Sequence, residues 1–220
     1  MRVGVLTLTR DRLAYTQHCF ATLRENAGLE FDWFVLDQGS TDGTSTWLLD
    51  QDDLNVTLLS HNIGICRGLN LLLDEAVNPS DYDLVVRFDN DCEVLYPDTL
   101  KTVGEVALAH NAILAPHVHG LNSPPTTLET VTVGDSTIDR VHHLGGIFMA
   151  IPAALFVDHE YRYDERNPLC GGDEMICPWW AARGGLVGYL AGAEVNHYET
   201  TDGQKLRFPA YWDRKVAEMA

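Results

Sequence analysis

Short aliphatic runs alternate along the first half of the chain with stretches in which apolar side chains return every three or four positions. The run VGVLTL at 3–8 predicts a strand, and Leu13, Phe20 and Leu23 at near-helical spacing predict the helix after it. FDWFVLD at 31–37 predicts a second strand, closed by QGSTDGT, where Ser40, Thr41 and Asp42 are natural N-cap residues for a helix over TSTWLLDQ. A third strand at 55–60 precedes HNIGICRGLNLLLDEA, in which Leu69, Leu72, Leu73 and Ala76 form one apolar helical face. DLVVRFD at 83–89 is almost continuously apolar, which suits the buried middle of a parallel sheet.

Strands alternating with helices at this rhythm imply right-handed crossovers in a doubly wound, Rossmann-like α/β sheet with helices on both faces. After a helix beginning near Pro97 the texture changes. Residues 119–152 read as a loop plus a hairpin, with Val133-Gly134-Asp135-Ser136 at the turn, so a small antiparallel addition is expected. Residues 173–184 read as a helix, 186–199 as a strand, and 208–220 as an exposed-looking helix or tail. The expectation is one domain over 1–220, divided into a first half at 1–111, a second at 112–200 and a C-terminal tail at 201–220. Ligands in such sheets sit beyond the carboxyl ends of the strands, where the polar clusters of this chain fall.

Composition narrows this picture. A chain of 220 residues with 45% hydrophobic and 21% charged side chains is ordinary globular material able to bury a substantial core. A net charge of −17 repels polyanions and disfavours a general nucleic-acid binder. The five cysteines, Cys19, Cys66, Cys92, Cys170 and Cys177, are odd in number and lack a C-x-x-C pair, so reduced and mostly buried thiols are expected. The chain opens directly on a strand pattern and contains no apolar run of about 18 residues. No integral membrane association and a cytoplasmic location are therefore expected.

Asp89-Asn90-Asp91 follows the buried fourth strand and puts two carboxylates where the chain leaves the sheet. Hard divalent cations such as Mg²⁺ or Mn²⁺ take carboxylate oxygens and bridge them to phosphates, although Asp and Asn equally form turns. His197, at the end of the last apolar strand, is a candidate to complete a metal's shell. Asp173 and Glu174 open a helix after Gly171-Gly172, where an acidic pair serves either as a cap or as a functional carboxylate. Asn62-x-Gly64 with Arg67 and Asn70 is either a helix cap or a contact to a nucleotide, with Arg67 near a phosphate. His117, His119, His142 and His143 lack a third ligand at zinc-like spacing, and zinc is discounted. Trp179-Trp180 reads as core or as a stacking platform for a sugar.

Taken in order, these motifs resemble a GT-A fold glycosyltransferase of family 2 across residues 2–198. VGVLTLTRDR resembles that family's opening strand and nucleotide-contacting loop, and FVLDQGSTDGT its Asp-Asp-Gly-Ser-Thr-Asp-Gly-Thr segment. HNIGICRGLN resembles its Asn-x-Gly helix start, VVRFDNDCEVLYPDTL its metal-binding Asp-x-Asp strand end, and LGGIFMAIPAALF its Gly-rich acceptor-side strand. YDERNPLCGGDEMI resembles the late acidic motif, and VNHYE the metal-holding His. The resemblance implies Thr9, Arg10 and Asp37 at the base and ribose of a nucleoside-diphosphate sugar, with Asp89 and Asn90 in the same donor-binding set. It implies Asp89 and Asp91 at ribose, diphosphate and metal, His197 helping to hold that Mn²⁺ or Mg²⁺, Asp173 as the base, and inversion at the anomeric carbon; Glu174 is counted with Asp173 as a catalytic candidate.

Two departures stand out. Gln38 replaces a second acid that often reads a uracil ring, and Pro178, Trp179 and Trp180 stand where the family usually carries an Arg. The acceptor is left open among glycan, lipid, protein and modified nucleic acid, for which Arg162, Arg166 and Arg183 would form a local basic rim. The competing readings are a nucleotidyltransferase or sugar-nucleotide pyrophosphorylase, whose Gly-rich Arg/Lys loop is missing from LTLTRDRLAY, and an inactive binding module of the same fold.

Overall fold

The computed structural model describes residues 1–121, 125–166, 173–198, 201–210 and 212–213. Three β-α steps and a fourth strand build the first half: β1 (Val3–Thr9), α1 (Leu13–Asn26), β2 (Asp32–Gln38), α2 (Thr44–Leu49), β3 (Leu54–Leu59), α3 (Ile65–Leu71) and β4 (Leu84–Phe88). A π-helical turn, Leu72–Ala76, continues α3. The second half contains β5 (Cys92–Val94), α4 (Thr99–Ala109), β6 (Ala112–His119), β7 (Thr127–Val133), β8 (Ser136–Val141), β9 (Phe148–Pro152), α5 (Ala154–Val157), α6 (Asp173–Ala181), β10 (Leu186–His197) and α7 (Thr201–Arg207).

All ten strands join one sheet in the order β3-β2-β1-β4-β9-β6-β10-β8-β7, with β5 pairing β10 off this path. β1 to β4 are mutually parallel. Strand β9 enters antiparallel between β4 and β6 and opens the antiparallel side that the hairpin β7–β8 completes. The predicted hairpin turn at 133–136 is present.

Middle strands buried on both faces are apolar at nearly every position, and β4 is buried throughout, with Arg87 the one charged residue in it. One face packs Phe20 and Leu23 of α1, Leu48 of α2 and Val103 and Ala107 of α4. The other packs Leu69 and Leu72 from the α3 segment, Leu155 of α5 and Ile176 and Cys177 of α6. Full burial of a side chain such as Phe20 or Leu23 is worth about 1.5–3 kcal/mol. Cys19, Cys66, Cys92 and Cys177 are buried free thiols, whereas Cys170 lies outside the described residues. Among the described residues no helix is long and apolar enough to cross a membrane.

One irregularity positions the site. Strand β10 shifts register between Leu190 and Glu194; below the shift it pairs β6 and β8, and above it pairs β6 and β5. The upper pairing sets His197 opposite Cys92, one residue beyond Asp91, and Tyr198 N–H donates to the Asp91 carbonyl at 2.7 Å. A bulge thus carries a late histidine to the carboxylates that follow β4.

Candidate active site

Strand β1 runs into a turn in which Asp11 and Arg12 both have positive φ, 52° and 62°. Such left-handed geometry costs a non-glycine residue about 1–3 kcal/mol and persists only where neighbours enforce it. The β2–α2 loop supplies that enforcement. Asp11 N–H donates to Ser40 Oγ at 2.6 Å, and the Asp11 carboxylate accepts from Thr41 N–H at 2.7 Å. The Asp42 carboxylate accepts from Leu13 N–H at 2.9 Å and from Thr44 N–H at 3.1 Å. Burial acts to raise the Asp42 pKa, but these hydrogen bonds hold it below its ordinary value. The α2 N-cap is Gly43 rather than Ser40, Thr41 or Asp42, and those three side chains tie the two loops together.

Asp37, one residue before the end of β2, is a buried hub that accepts from Thr9 Oγ1 at 3.0 Å, Ser45 Oγ at 2.7 Å and the Ser40 hydroxyl. Gln38 Oε1 accepts from Ile63 N–H at 3.0 Å, so the residue standing in place of an acid positions the loop that starts α3. In that loop Asn62 Oδ1 accepts from Gly64 N–H at 3.0 Å, shaping the turn before α3, whose N-cap Gly64 carries no side-chain cap bond; Arg67 is exposed. Asn70 is buried and clamps Tyr163, donating to its carbonyl and accepting from its N–H, both at 2.9 Å.

Beyond β4 the three residues of the triplet part company. Asp89 takes Nε and Nη2 of buried Arg87, each at 3.1 Å. Gly146, in the Gly-rich segment before β9, makes room for this pair, since a Cβ there would lie 2.4 Å from Arg87 Nη1. Gly146→Ala is therefore expected to displace Arg87, release Asp89 and lower turnover on the order of 10–100-fold with the fold intact, as kinetics beside circular dichroism would show. Asn90, placed by sequence with the donor contacts, is buried instead: Oδ1 accepts from Arg12 Nη2 at 2.8 Å, and Nδ2 donates to Thr16 Oγ1 at 2.9 Å.

Asp91 is the centre of the site. Its Oδ2 accepts from Arg12 Nη1 at 2.8 Å and Gln204 Nε2 at 3.2 Å, and lies 3.5 Å from His197 Nε2. Arg12 Nη1 also donates to Gln204 Oε1 at 2.7 Å. Burial alone would push the Asp91 carboxyl up, yet Arg12 and His197 hold it well below the usual carboxylate range. Beside this cluster His18 stacks on Tyr198 and bonds Glu93 at 2.6 Å, while Asn196 Nδ2 reaches the other Glu93 oxygen at 2.8 Å. Tyr15 packs edge-on against Tyr198 and Phe208, the latter seating α7 over the site.

Asp91 Oδ2 and His197 Nε2, 3.5 Å apart, are one hard oxygen and one imidazole nitrogen of the kinds that would hold Mn²⁺ or Mg²⁺. Asp89 is drawn towards Arg87. Among the described residues no three His, Cys, Asp or Glu side chains stand ready as a metal-holding group, so the expected trio of Asp89, Asp91 and His197 converges only in part.

The chain matches the profile of glycosyl transferase family 2 over residues 5–152. It belongs to that family. Among solved structures, S. aureus TarS 1-349 in complex with UDP superposes with a TM-score of 0.67 at 19% identity, covering 89% of this chain and 60% of that one. The mannosyltransferase PcManGT from Pyrobaculum calidifontis, in complex with GDP-Man and Mn²⁺, gives 0.69 at 15% identity, covering 94% of this chain and 59% of that one. GalNAc-T7 with UDP, GalNAc and Mn²⁺ gives 0.69 at 12% identity, covering 91% of this chain and 44% of that one. The fold is thus GT-A, and the chain spans about three fifths or less of the length of these structures. A comparison with curated protein sequences finds no match.

Other residues singled out in this family-2 chain fall elsewhere. Gly171, Gly172 and the Asp173 side chain lie outside the described residues; Asp173 opens α6, and Glu174 is exposed. Trp180 is core and donates to the Asn111 carbonyl at 3.2 Å, just before β6 begins. Since β6 runs parallel to β4, this is the sheet edge opposite the carboxylates, and the Trp pair is no sugar platform at the site. The expected basic rim is absorbed locally: Arg162 bonds Asp74 at 2.6 Å, Arg166 pairs with Asp164, and Arg183 lies over Trp179 at 3.9 Å. His117 and His119 pair with Asp139 and Glu194, at 3.1 and 3.3 Å. Pattern reading did not single out Asp11, Arg12, Arg87 or Gln204. The only available signal was the second arginine of LTLTRDR.

Proposed function

We propose that this protein transfers a sugar from a nucleoside-diphosphate sugar to an acceptor, with Mn²⁺ or Mg²⁺ at Asp91 and His197 and with inversion at the anomeric carbon. The observation that carries the reading is the 3.5 Å approach of Asp91 and His197 beyond the strand ends of a family-2 chain. TarS with UDP-GlcNAc, and PcManGT with GDP-Man and Mn²⁺, support the donor class and the ion.

A divalent ion at this place would neutralise charge on the departing diphosphate. The protein's own residues do the rest. Arg87 holds Asp89 at the strand end for the donor, and Asp37 with Ser40 and Thr41 fixes the shape of the loop carrying Thr9 and Arg10. Asp173 takes the acceptor hydroxyl proton as that oxygen bonds the anomeric carbon and the bond to diphosphate breaks; Glu174 lies beside it at the start of α6. Arg67, exposed near Asn62 and Gly64, steadies a phosphate of the donor.

A panel of sugar nucleotides scored by thermal shift and donor hydrolysis tests this. One nucleoside diphosphate sugar is expected to stabilise the protein in the presence of Mn²⁺ or Mg²⁺. EDTA should abolish the hydrolysis and weaken the stabilisation without removing it, and added metal should restore both. Equal hydrolysis with and without EDTA contradicts the metal-dependent reading.

A further inference from the structure

A cation arriving at Asp91 Oδ2 meets a network already built around that oxygen. Arg12 is enclosed, its side chain only 9% exposed, and it donates to three side chains: Asp91, Gln204 and Asn90. Those partners lie 79, 192 and 78 residues away along the chain, so the guanidinium is a joint between three separate segments. Gln204 doubles the contact by donating to the same Asp91 oxygen, and its Nε2 sits 3.5 Å from His197 Nε2. Arginine cannot give up its charge. It can leave Asp91 only for another anion, and the arriving donor carries one in its diphosphate.

We propose that Arg12, braced by Gln204, is an internal counter-cation that withholds Asp91 from a divalent ion until a nucleoside diphosphate offers the guanidinium a second anion. Arg12 is then a donor-binding residue as well as a gate on the metal position. The cation at Asp91 and the diphosphate at Arg12 arrive as a pair, each removing the other's obstacle. Helix α7 takes part directly, because it contributes the amide that braces the lock. This inference rests on the metal reading of Asp91 and His197 given above.

The deciding measurement is binding of Mn²⁺ alone, followed by electron paramagnetic resonance as loss of the free-ion signal, in wild type, Arg12→Met and Gln204→Ala. Synergy between Mn²⁺ and nucleotide in the wild type is not diagnostic, since a diphosphate itself ligates the metal. The diagnostic quantity is the affinity for Mn²⁺ without nucleotide, expected to rise roughly tenfold in each variant, within the usual range of coupling between two sites. In EDTA, Arg12→Met should also bind UDP and GDP more weakly than wild type, whereas Gln204→Ala should not. If Arg12→Met does not fold, Gln204→Ala, which leaves both members of the Arg12–Asp91 pair in place, carries the test alone. Unchanged or weaker Mn²⁺ binding in Gln204→Ala overturns the proposal. Absence of Mn²⁺ binding in all three proteins with UDP or GDP present overturns the metal reading itself and is recognisable as that separate failure.

Discussion

Replacing Asp91 by Ala is expected to abolish transfer and to destabilise the protein at the same time, by about 3–5 kcal/mol, the usual cost of removing one member of a buried ion pair. Arg12 keeps its charge but loses the carboxylate that Nη1 meets at 2.8 Å. For a chain of this size the melting temperature should fall by roughly 6–20 °C. Calorimetry measures the loss, and donor hydrolysis measures the activity. An unchanged melting temperature would mean that Arg12 does not depend on Asp91. Asp91→Asn, which retains a hydrogen-bond acceptor of the same shape, should recover part of the stability and none of the activity. The pH dependence has a definite sign. The folded pKa of Asp91 is depressed, so its contribution is complete above the ordinary carboxylate range near pH 4 and is lost as pH falls further.

The double role of Asp91 also shows which parts of this protein its sequence discloses. The parallel half was legible because a buried strand leaves a continuous apolar signature, and the predicted fourth strand at 83–89 brackets the observed Leu84–Phe88. Asp89, Asp91 and His197 were reached through order and resemblance, and no local signal shows that a bulge in β10 turns His197 towards Cys92 and Asp91. Consecutive left-handed residues at Asp11 and Arg12 are equally invisible, since neither residue type demands positive φ; the loop around Ser40 and Thr41 imposes it. Asn90 illustrates the converse error. A polar residue between two carboxylates invites a functional reading, yet its register turns it inward to Thr16 and Arg12. Residues 201–220 were set apart as a C-terminal tail, and within them Gln204 is 1% exposed and donates to Asp91. A lone glutamine in a polar helix carries no periodic mark of burial when its partner lies 113 residues upstream.

The second large effect falls on the step after donor binding. Asp173→Asn is expected to leave the affinity for the donor and its metal unchanged while lowering transfer by about 10²–10⁴-fold, the usual worth of a positioned general base. Asparagine keeps the size and polarity of the side chain at the start of α6 but cannot accept the acceptor's proton. Binding at Asp91, Arg12 and His197 involves other segments of chain and should not register the change. Glu174, exposed one residue further along the helix, provides the comparison: if it only accompanies Asp173, Glu174→Gln should cost far less. Single-turnover transfer measured beside equilibrium donor binding separates the two steps. Should Asp173→Asn turn over like the wild type while Glu174→Gln does not, the base is Glu174. Should both keep full activity, the proton leaves by a group on another element.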